Sequence, residues 1–371
     1  MRYRSVFVPL SIVLFVTGSG IGTASARTVI SPSLTLAGPG VVDQDDMAFW
    51  VHPTDLAKST VITSDKSANR LFVYDLNGNT LQQIPAEEPG NVDTRYGFPL
   101  GTDRVDIVAF NERGTNKIRV YKVDAVTRLL EQIDDGNIDS GPNYGIALYR
   151  SRRTGKFYVY TGPKVTTPIV QFELVDNGNG TVSGRGPLRT LDPLTQAQGM
   201  VADDETGVLY VSEEAGGIWA FDAEPRGDTS GTKIASVGEN GLKADVEGIT
   251  IYYTARGQGY LIASSQGSST FNVYQRKAPH AFVGTFKING VGDSDGVDVI
   301  NLPLNNTFAQ GIFAVHNGRR SDMNGHAVEI VKWQDIAVEL DLTIDTQYWD
   351  PRIGAGRGTA PVAPAGAAPD R

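Results

Sequence analysis

Asp245-Val-Glu247 sets two carboxylates one residue apart, directly ahead of Gly248 and the apolar, β-branched run Ile249-Thr-Ile-Tyr-Tyr253. In an extended chain, alternation aims both acids to the same side. Gly248 lets the chain turn into the strand without steric cost. The unit recurs in variations: Asp45-Asp46 before Met47-Ala-Phe-Trp50, Tyr144-Gly145 before Ile146-Ala-Leu148, Gln198-Gly199 before Met200, and Asp295-Gly-Val-Asp298. Further acids stand at Asp43, Glu213, Glu214 and Asp293. Hard oxygen donors collected from several loops suit calcium, which takes about six to eight oxygens in flexible geometry. Any one acidic pair is more often a solvated turn; the recurrence is what points to one acidic centre. Asp203-Asp204-Glu205, ahead of Thr206-Gly207, reads as turn chemistry and not as metal binding.

Composition excludes some other chemistries, and the absence of their motifs leaves others with little support. There is no cysteine, so thiol catalysis and cysteine-held zinc are impossible. The four histidines include no His-Glu-x-x-His pair, the spacing that would put two zinc ligands on one helical face. No Gly-x-Ser-x-Gly occurs in a strand–turn–helix setting.

The elements that must position these groups are short strands. Ser59-Thr-Val-Ile-Thr63, Arg70-Leu-Phe-Val-Tyr74, Val105-Asp-Ile-Val-Ala-Phe110, Lys117-Ile-Arg-Val-Tyr121 and Lys156-Phe-Tyr-Val-Tyr160 are β-branched and aromatic runs bounded by turn residues. Val208-Leu-Tyr-Val-Ser212, Gly217-Ile-Trp-Ala-Phe221, Gly259-Tyr-Leu-Ile-Ala-Ser264 and Phe271-Asn-Val-Tyr274 continue the pattern, the strand signature. Helical periodicity is confined to a short stretch at Trp333 to Glu339. Units open near Met47, Tyr96, Tyr144, Gly199, Gly248 and Gly296, at intervals of about 45 to 55 residues, the size of a four-stranded propeller blade. The fold class expected is therefore all-β, a six-bladed β-propeller of four-stranded antiparallel blades over residues 27–353, with a lead-in strand over 28–42. Closure into a ring also protects sheet edges in a chain without disulfides.

The ends read differently. Arg2 and Arg4, the apolar run 6–16 and Ala24-Ser-Ala26 form a secretory leader over residues 1–26, too short in its apolar part to favour a membrane span. Export after cleavage near Ala26, to periplasm or medium, is expected. Residues 354–371, rich in Gly, Ala and Pro, read as a disordered tail. The net charge is −9, and loss of Arg2 and Arg4 leaves 31 basic against 42 acidic residues, a net of −11. Such a chain has no general attraction for nucleic acid or anionic membranes; a monomer is expected. An anionic substrate would need local lysines or bound cations.

Asp45-Asp-Met-Ala-Phe-Trp-Val-His-Pro53, Asn91-Val-Asp-Thr-Arg95, Gly199-Met-Val-Ala-Asp-Asp204, Asp245-Val-Glu-Gly-Ile-Thr-Ile-Tyr-Tyr253, Ala263-Ser-Ser-Gln-Gly267 and Ser294-Asp-Gly-Val-Asp298, in that order, resemble the β-propeller (alkaline, calcium-dependent) phytases. The resemblance runs from about Asp43 to Ile336 and implies several calcium ions, structural and catalytic. It also implies phosphate release from myo-inositol hexakisphosphate, free or as its calcium complex, by direct attack of a calcium-activated water. Carried over by motif, Asp46, Tyr144, Asp245, Glu247 and Asp295 fall on calcium positions, and so does either Glu213 or Glu214. Lys66 falls on a phosphate-binding lysine; Tyr144, Arg113 and Lys164 complete the implied catalytic set. Three positions depart from the family pattern. Gln198 replaces a glutamate, which keeps an oxygen and loses a charge and implies weaker calcium or altered pH dependence. Arg113 is displaced by one residue in Asn111-Glu112-Arg113. Thr161-Gly-Pro-Lys164 lacks the family's acidic neighbour of the lysine. A calcium-dependent propeller lactonase or phosphodiesterase, and a non-catalytic ligand-binding propeller, are the alternatives to this reading.

Overall fold

Strands buried on both faces need apolar residues at nearly every position, and here consecutive side chains serve two different cores. In the second strand of the second blade, Val108 and Phe110 pack toward the first blade while Ile107 and Ala109 pack toward the third. In the third blade, Leu148 and Val159 face back, and Ala147, Tyr149, Tyr158 and Tyr160 face forward. Five such apolar clusters lie between neighbouring blades. The computed structural model describes residues 29–319 and 326–353, and the backbone of 355–356.

Six four-stranded antiparallel sheets are arranged as a propeller. Their innermost strands are Gln44–Trp50, Pro89–Leu100, Ile146–Arg150, Met200–Asp203, Val246–Thr254 and Val297–Ile300. Each touches the next, and the last touches the first, so the ring is closed. Burial falls outward: Gln44–Trp50 and Thr60–Asp65 are buried throughout, whereas Thr80–Pro85, the outermost strand of that blade, is mostly not. The sixth blade departs from the expected layout. It contributes only Val297–Ile300, Ile312–Asn317 and Ala327–Lys332, and its outer strand is Leu34–Leu36, from before the first blade. The lead-in strand is thus three residues long, with Leu34 opposite Ile330 and Leu36 opposite Val328.

The helix Trp333–Leu340 lies against the fifth blade, Trp333 stacking on Tyr252 at 4.0 Å between ring centroids. The chain then crosses one end of the axis. Trp349 stacks on Tyr253 at 3.6 Å, and Arg352 pairs with Asp106 at 2.6 Å and donates to the carbonyl of Val51. Residues 355–356, expected to be part of a disordered tail, pair with Trp349–Asp350 as a two-residue strand. The leader and the rest of the tail lie outside the described residues. Among the described residues, no helix is long and apolar enough to cross a membrane.

Candidate active site

The axial ends of the inner strands carry the acids, and bulges aim them. Register slips between Gln44 and Met47, Pro89 and Val92, and Val246 and Ile249. The bulged residues are Asp45-Asp46, Gly90-Asn91 and Glu247-Gly248, so the extra residue at each entry re-aims a polar side chain. Successive entries interlock through glycine. A Cβ on Gly199 would lie 2.1 Å from the carbonyl oxygen of Glu247, and one on Gly296 would lie 2.1 Å from Oδ1 of Asp46. Gly248 N–H donates to Asp295 O at 2.9 Å, and Gly296 N–H to Asp45 O at 3.0 Å. The glycines are needed here for close approach of backbones, not for turning as the sequence suggested.

Glu214, Asp245 and Glu247 bring their carboxylate oxygens within 4.8 Å of one another. Glu214 and Glu247 are buried and Asp245 is exposed. Glu214 Oε1 and Glu247 Oε2 are buried without a hydrogen-bond partner among the described residues. Burial, and then the charges of Glu214, Asp295, Asp45 and Asp245, push the Glu247 carboxyl well above the usual range. Burial and then Asp245 raise Glu214. Burial and then Asp45 push Asp295 up to about 8. Tyr144 hangs beside this group, its phenol raised by burial, then by Glu247 and Glu214, and held by the Gln196 side chain. Crowded acids with orphaned oxygens are a site that lacks positive charge.

A cationic row adjoins it. Lys66 Nζ donates to Asp45 Oδ1 at 2.7 Å and lies 3.5 Å from Asp295 and 3.7 Å from Asp43. Arg113 donates to Asp45 Oδ2 at 3.0 Å, its guanidinium 4.7 Å from the Tyr144 ring centroid. Burial works against ionisation of Asp45, but Arg113 and Lys66 outweigh it and hold the carboxyl far below its ordinary value. Lys164 is exposed, with Nζ 5.7 Å from the centroid of the Tyr144 ring. Arg113 follows the strand Asp103–Glu112, so its one-residue displacement falls in a turn and does not flip it to another face.

Strand alternation separates two adjacent pairs. Glu213 accepts from the backbone and hydroxyl of Thr195 at 3.0 and 2.9 Å and from Trp219 Nε1 at 2.9 Å; only Glu214 joins the acid group. Asp45 reaches the cationic row, while Asp46 points down the axis and accepts from Val92 N–H at 3.0 Å. Asp46 there lines a small cavity of about 40 Å³ with Asn91, Asp93 and Asp298. Burial pushes Asp298 up to about 7. Gln198 is buried, and its carbonyl oxygen would lie 2.1 Å from a Cβ on Gly145.

Turn chemistry does occupy Asp203-Asp204-Glu205: Asp203 Oδ1 accepts from the backbone N–H groups of Glu205 and Thr206 at 3.0 and 3.2 Å. Asp203 also makes a buried pair with Arg276 at 2.7 Å, and Asp204 pairs with Arg95 at 3.1 Å. Four polar residues near the acids escaped sequence reasoning: Gln196, Gln266, His316 and His326. Gln266 donates to Asp295 Oδ1, and His316 Nδ1 accepts from Asp295 N–H at 2.9 Å. Gln266 stood within Ala263-Ser-Ser-Gln-Gly267, a signal not followed to its side chain. The histidines belong to no local motif.

A family model described as phytase matches residues 25–354. The chain is 40% identical over 312 residues to a 3-phytase of Bacillus subtilis (strain 168), an alignment covering 80% of this chain and 81% of that protein. Among solved structures, a gluconolactonase from Xanthomonas campestris aligns with a TM-score of 0.48 at 15% identity, over 79% of this chain and 86% of that one. A luciferin-regenerating enzyme aligns with a TM-score of 0.47 at 14% identity, over 79% and 94%. The family match and the Bacillus relative together show that the chain belongs to the phytase family and is a phosphoric monoester hydrolase.

Proposed function

We propose that the protein is a calcium-dependent phytase that releases inorganic phosphate from myo-inositol hexakisphosphate at the axial face carrying Lys66, Arg113 and Lys164. The observation that carries this reading is the convergence of Glu214, Asp245 and Glu247, with two buried carboxylate oxygens left without partners. An all-oxygen donor set of high negative charge, completed by Asp295 and the Tyr144 phenol, fits calcium and suits softer ions poorly. Calcium bound there supplies charge neutralisation of the substrate phosphates and a lowered pKa for water.

The chain's own residues do the rest. Lys66 and Arg113 pair with Asp45 and turn their remaining donors to phosphoryl oxygens, where charge grows in the transition state. Lys164, exposed at the rim, receives a further phosphate. Glu247, Glu214 and Gln196 surround the Tyr144 phenol, and the Tyr144 ring lies against the Arg113 guanidinium and helps to place it. The chain has no cysteine to act as a nucleophile, and in this reading water attacks phosphorus directly, without a covalent protein intermediate. The test is phosphate release from inositol hexakisphosphate before chelation, after it, and after calcium is restored. Loss and recovery are expected; release that survives chelation would sink the proposal.

A further inference from the structure

A second group of ligand atoms converges on the other side of Lys66. Asp43, His316 and His326 each offer one atom, all within 4.8 Å of one another. Three separate stretches supply them. Asp43 precedes the innermost strand of the first blade, His316 lies near the end of Ile312–Asn317, and His326 stands just before Ala327–Lys332. A backbone bridge joins Asp43 to His326, whose N–H donates to Val42 O at 3.1 Å, so the main chain fixes two of the three. His316 is 1% exposed.

Asp43 Oδ1, His316 Nε2 and His326 Nδ1 are all buried atoms without a hydrogen-bond partner among the described residues. His326 Nδ1 and Asp43 Oδ1 lie 2.6 Å apart, an ion pair when the imidazole is protonated. These three atoms, one from each residue, face one another, and a buried polar atom without a hydrogen bond costs stability. The other atoms of these groups are engaged. Asp43 Oδ2 accepts from Ser67 at 3.1 Å and lies 3.7 Å from Lys66 Nζ. His316 Nδ1 sits against Asp295.

We propose that Asp43, His316 and His326 form a site for a divalent transition-metal ion of the zinc class, distinct from the oxygen-only acid group. Two imidazoles and one carboxylate suit such ions and disfavour calcium, which takes oxygen ligands. Three protein ligands leave a position open to water or a phosphate oxygen. The Asp295 carboxylate, 3.4 Å from His316 Nδ1, is placed to back the ring as carboxylates do behind metal-bound imidazoles. The ring nitrogen that carries the proton follows from the bond the other nitrogen makes. Nδ1 accepts from the Asp295 amide, which puts the ring proton on Nε2; with Nε2 on a metal ion that proton would pass to Nδ1, which would give up the amide bond and donate to the Asp295 carboxylate instead.

The test titrates zinc or cobalt(II) into the calcium-saturated protein and follows heat, the cobalt visible spectrum and the ¹⁵N shifts of the histidine rings. About one ion per chain is expected, with an imidazole-type cobalt spectrum and a switch of the His316 tautomer. His326→Ala, at a half-exposed residue, should weaken binding by more than about tenfold, since loss of a ligand exceeds loss of a supporting group. His316→Gln should do the same, while Asp245→Asn should leave zinc affinity within about twofold. Equal zinc affinity in His326→Ala, displacement of zinc by calcium, or loss of zinc binding in Asp245→Asn would each overturn the proposal. None of these readouts depends on phosphate release, so the proposal stands or falls apart from the phytase reading.

Discussion

Among single residues, Glu247 is the most conflicted. It is buried among like charges, and one of its oxygens has no hydrogen-bond partner among the described residues. Glu247→Gln removes charge from that crowd. The variant should therefore be at least as stable as the parent without calcium, yet gain much less on adding it; thermal melts with and without calcium read both effects. Lys66 has the opposite role, a cation already committed to Asp45, Asp295 and Asp43. Lys66→Ala should lower kcat by about 10²–10³-fold, the usual loss for one donor to transition-state charge. An unchanged kcat would remove Lys66 from the catalytic set. Gln198→Glu adds a carboxylate at a buried position. If Gln198 faces calcium, affinity for the ion rises; unchanged affinity and turnover place Gln198 outside the metal site.

At the scale of elements, what matters is the interlock of strand entries. A methyl group on Gly199 would strike the Glu247 carbonyl, a backbone atom that cannot swing away. Gly199→Ala should cost about 1–3 kcal/mol, as overpacking does, and should weaken calcium binding because it displaces Glu247. Denaturant melts and calcium titration check the pair of effects; a change in stability alone would uncouple that contact from the metal.

Legibility in the sequence also divides at this scale. Strand runs such as Arg70 to Tyr74 and Phe271 to Tyr274 were readable because residues buried on both faces are mostly apolar and aromatic. The spacing of the strand entries gave the blade count. Asp245-Val-Glu247 announced its own convergence, being local. Three things were hidden. The outer strand of the sixth blade comes from Leu34–Leu36, some 290 residues away in sequence from its partner (Leu36 opposite Val328), and no local pattern carries that pairing. The choice between Glu213 and Glu214 rests on which face of the strand Val208–Glu213 turns to Thr195 and Trp219. Asp43, His316 and His326 meet only once the ring is closed.

For the whole molecule, closure and charge are the two properties to test. Leu36 is fully buried in the strand that completes the ring. Leu36→Ala should cost about 2–5 kcal/mol, the range for a buried leucine, and the loss should appear in the global unfolding transition because the ring has no free blade to unfold alone. Charge sets the pH response. Asp295 is pushed up to about 8, and Glu247 is raised as well, whereas unfolded carboxyls titrate near about 4. A carboxyl with a raised folded pKa binds its proton more tightly when folded. Its contribution is full below the unfolded value and is lost as pH rises to the folded one. The calcium-free protein should therefore lose melting temperature between about pH 4 and pH 8, and calcium should restore most at the alkaline end, where it replaces those protons. A melting temperature that rises across that window would contradict the assignment of these acids.

Calcium occupancy and phosphate release, measured on one sample of calcium-stripped protein as calcium is added back, test most directly whether the acid group drives the reaction. The two curves are expected to rise together in the parent and to shift together to higher calcium in Glu247→Gln. Phosphate release that is already complete before calcium binds would contradict it.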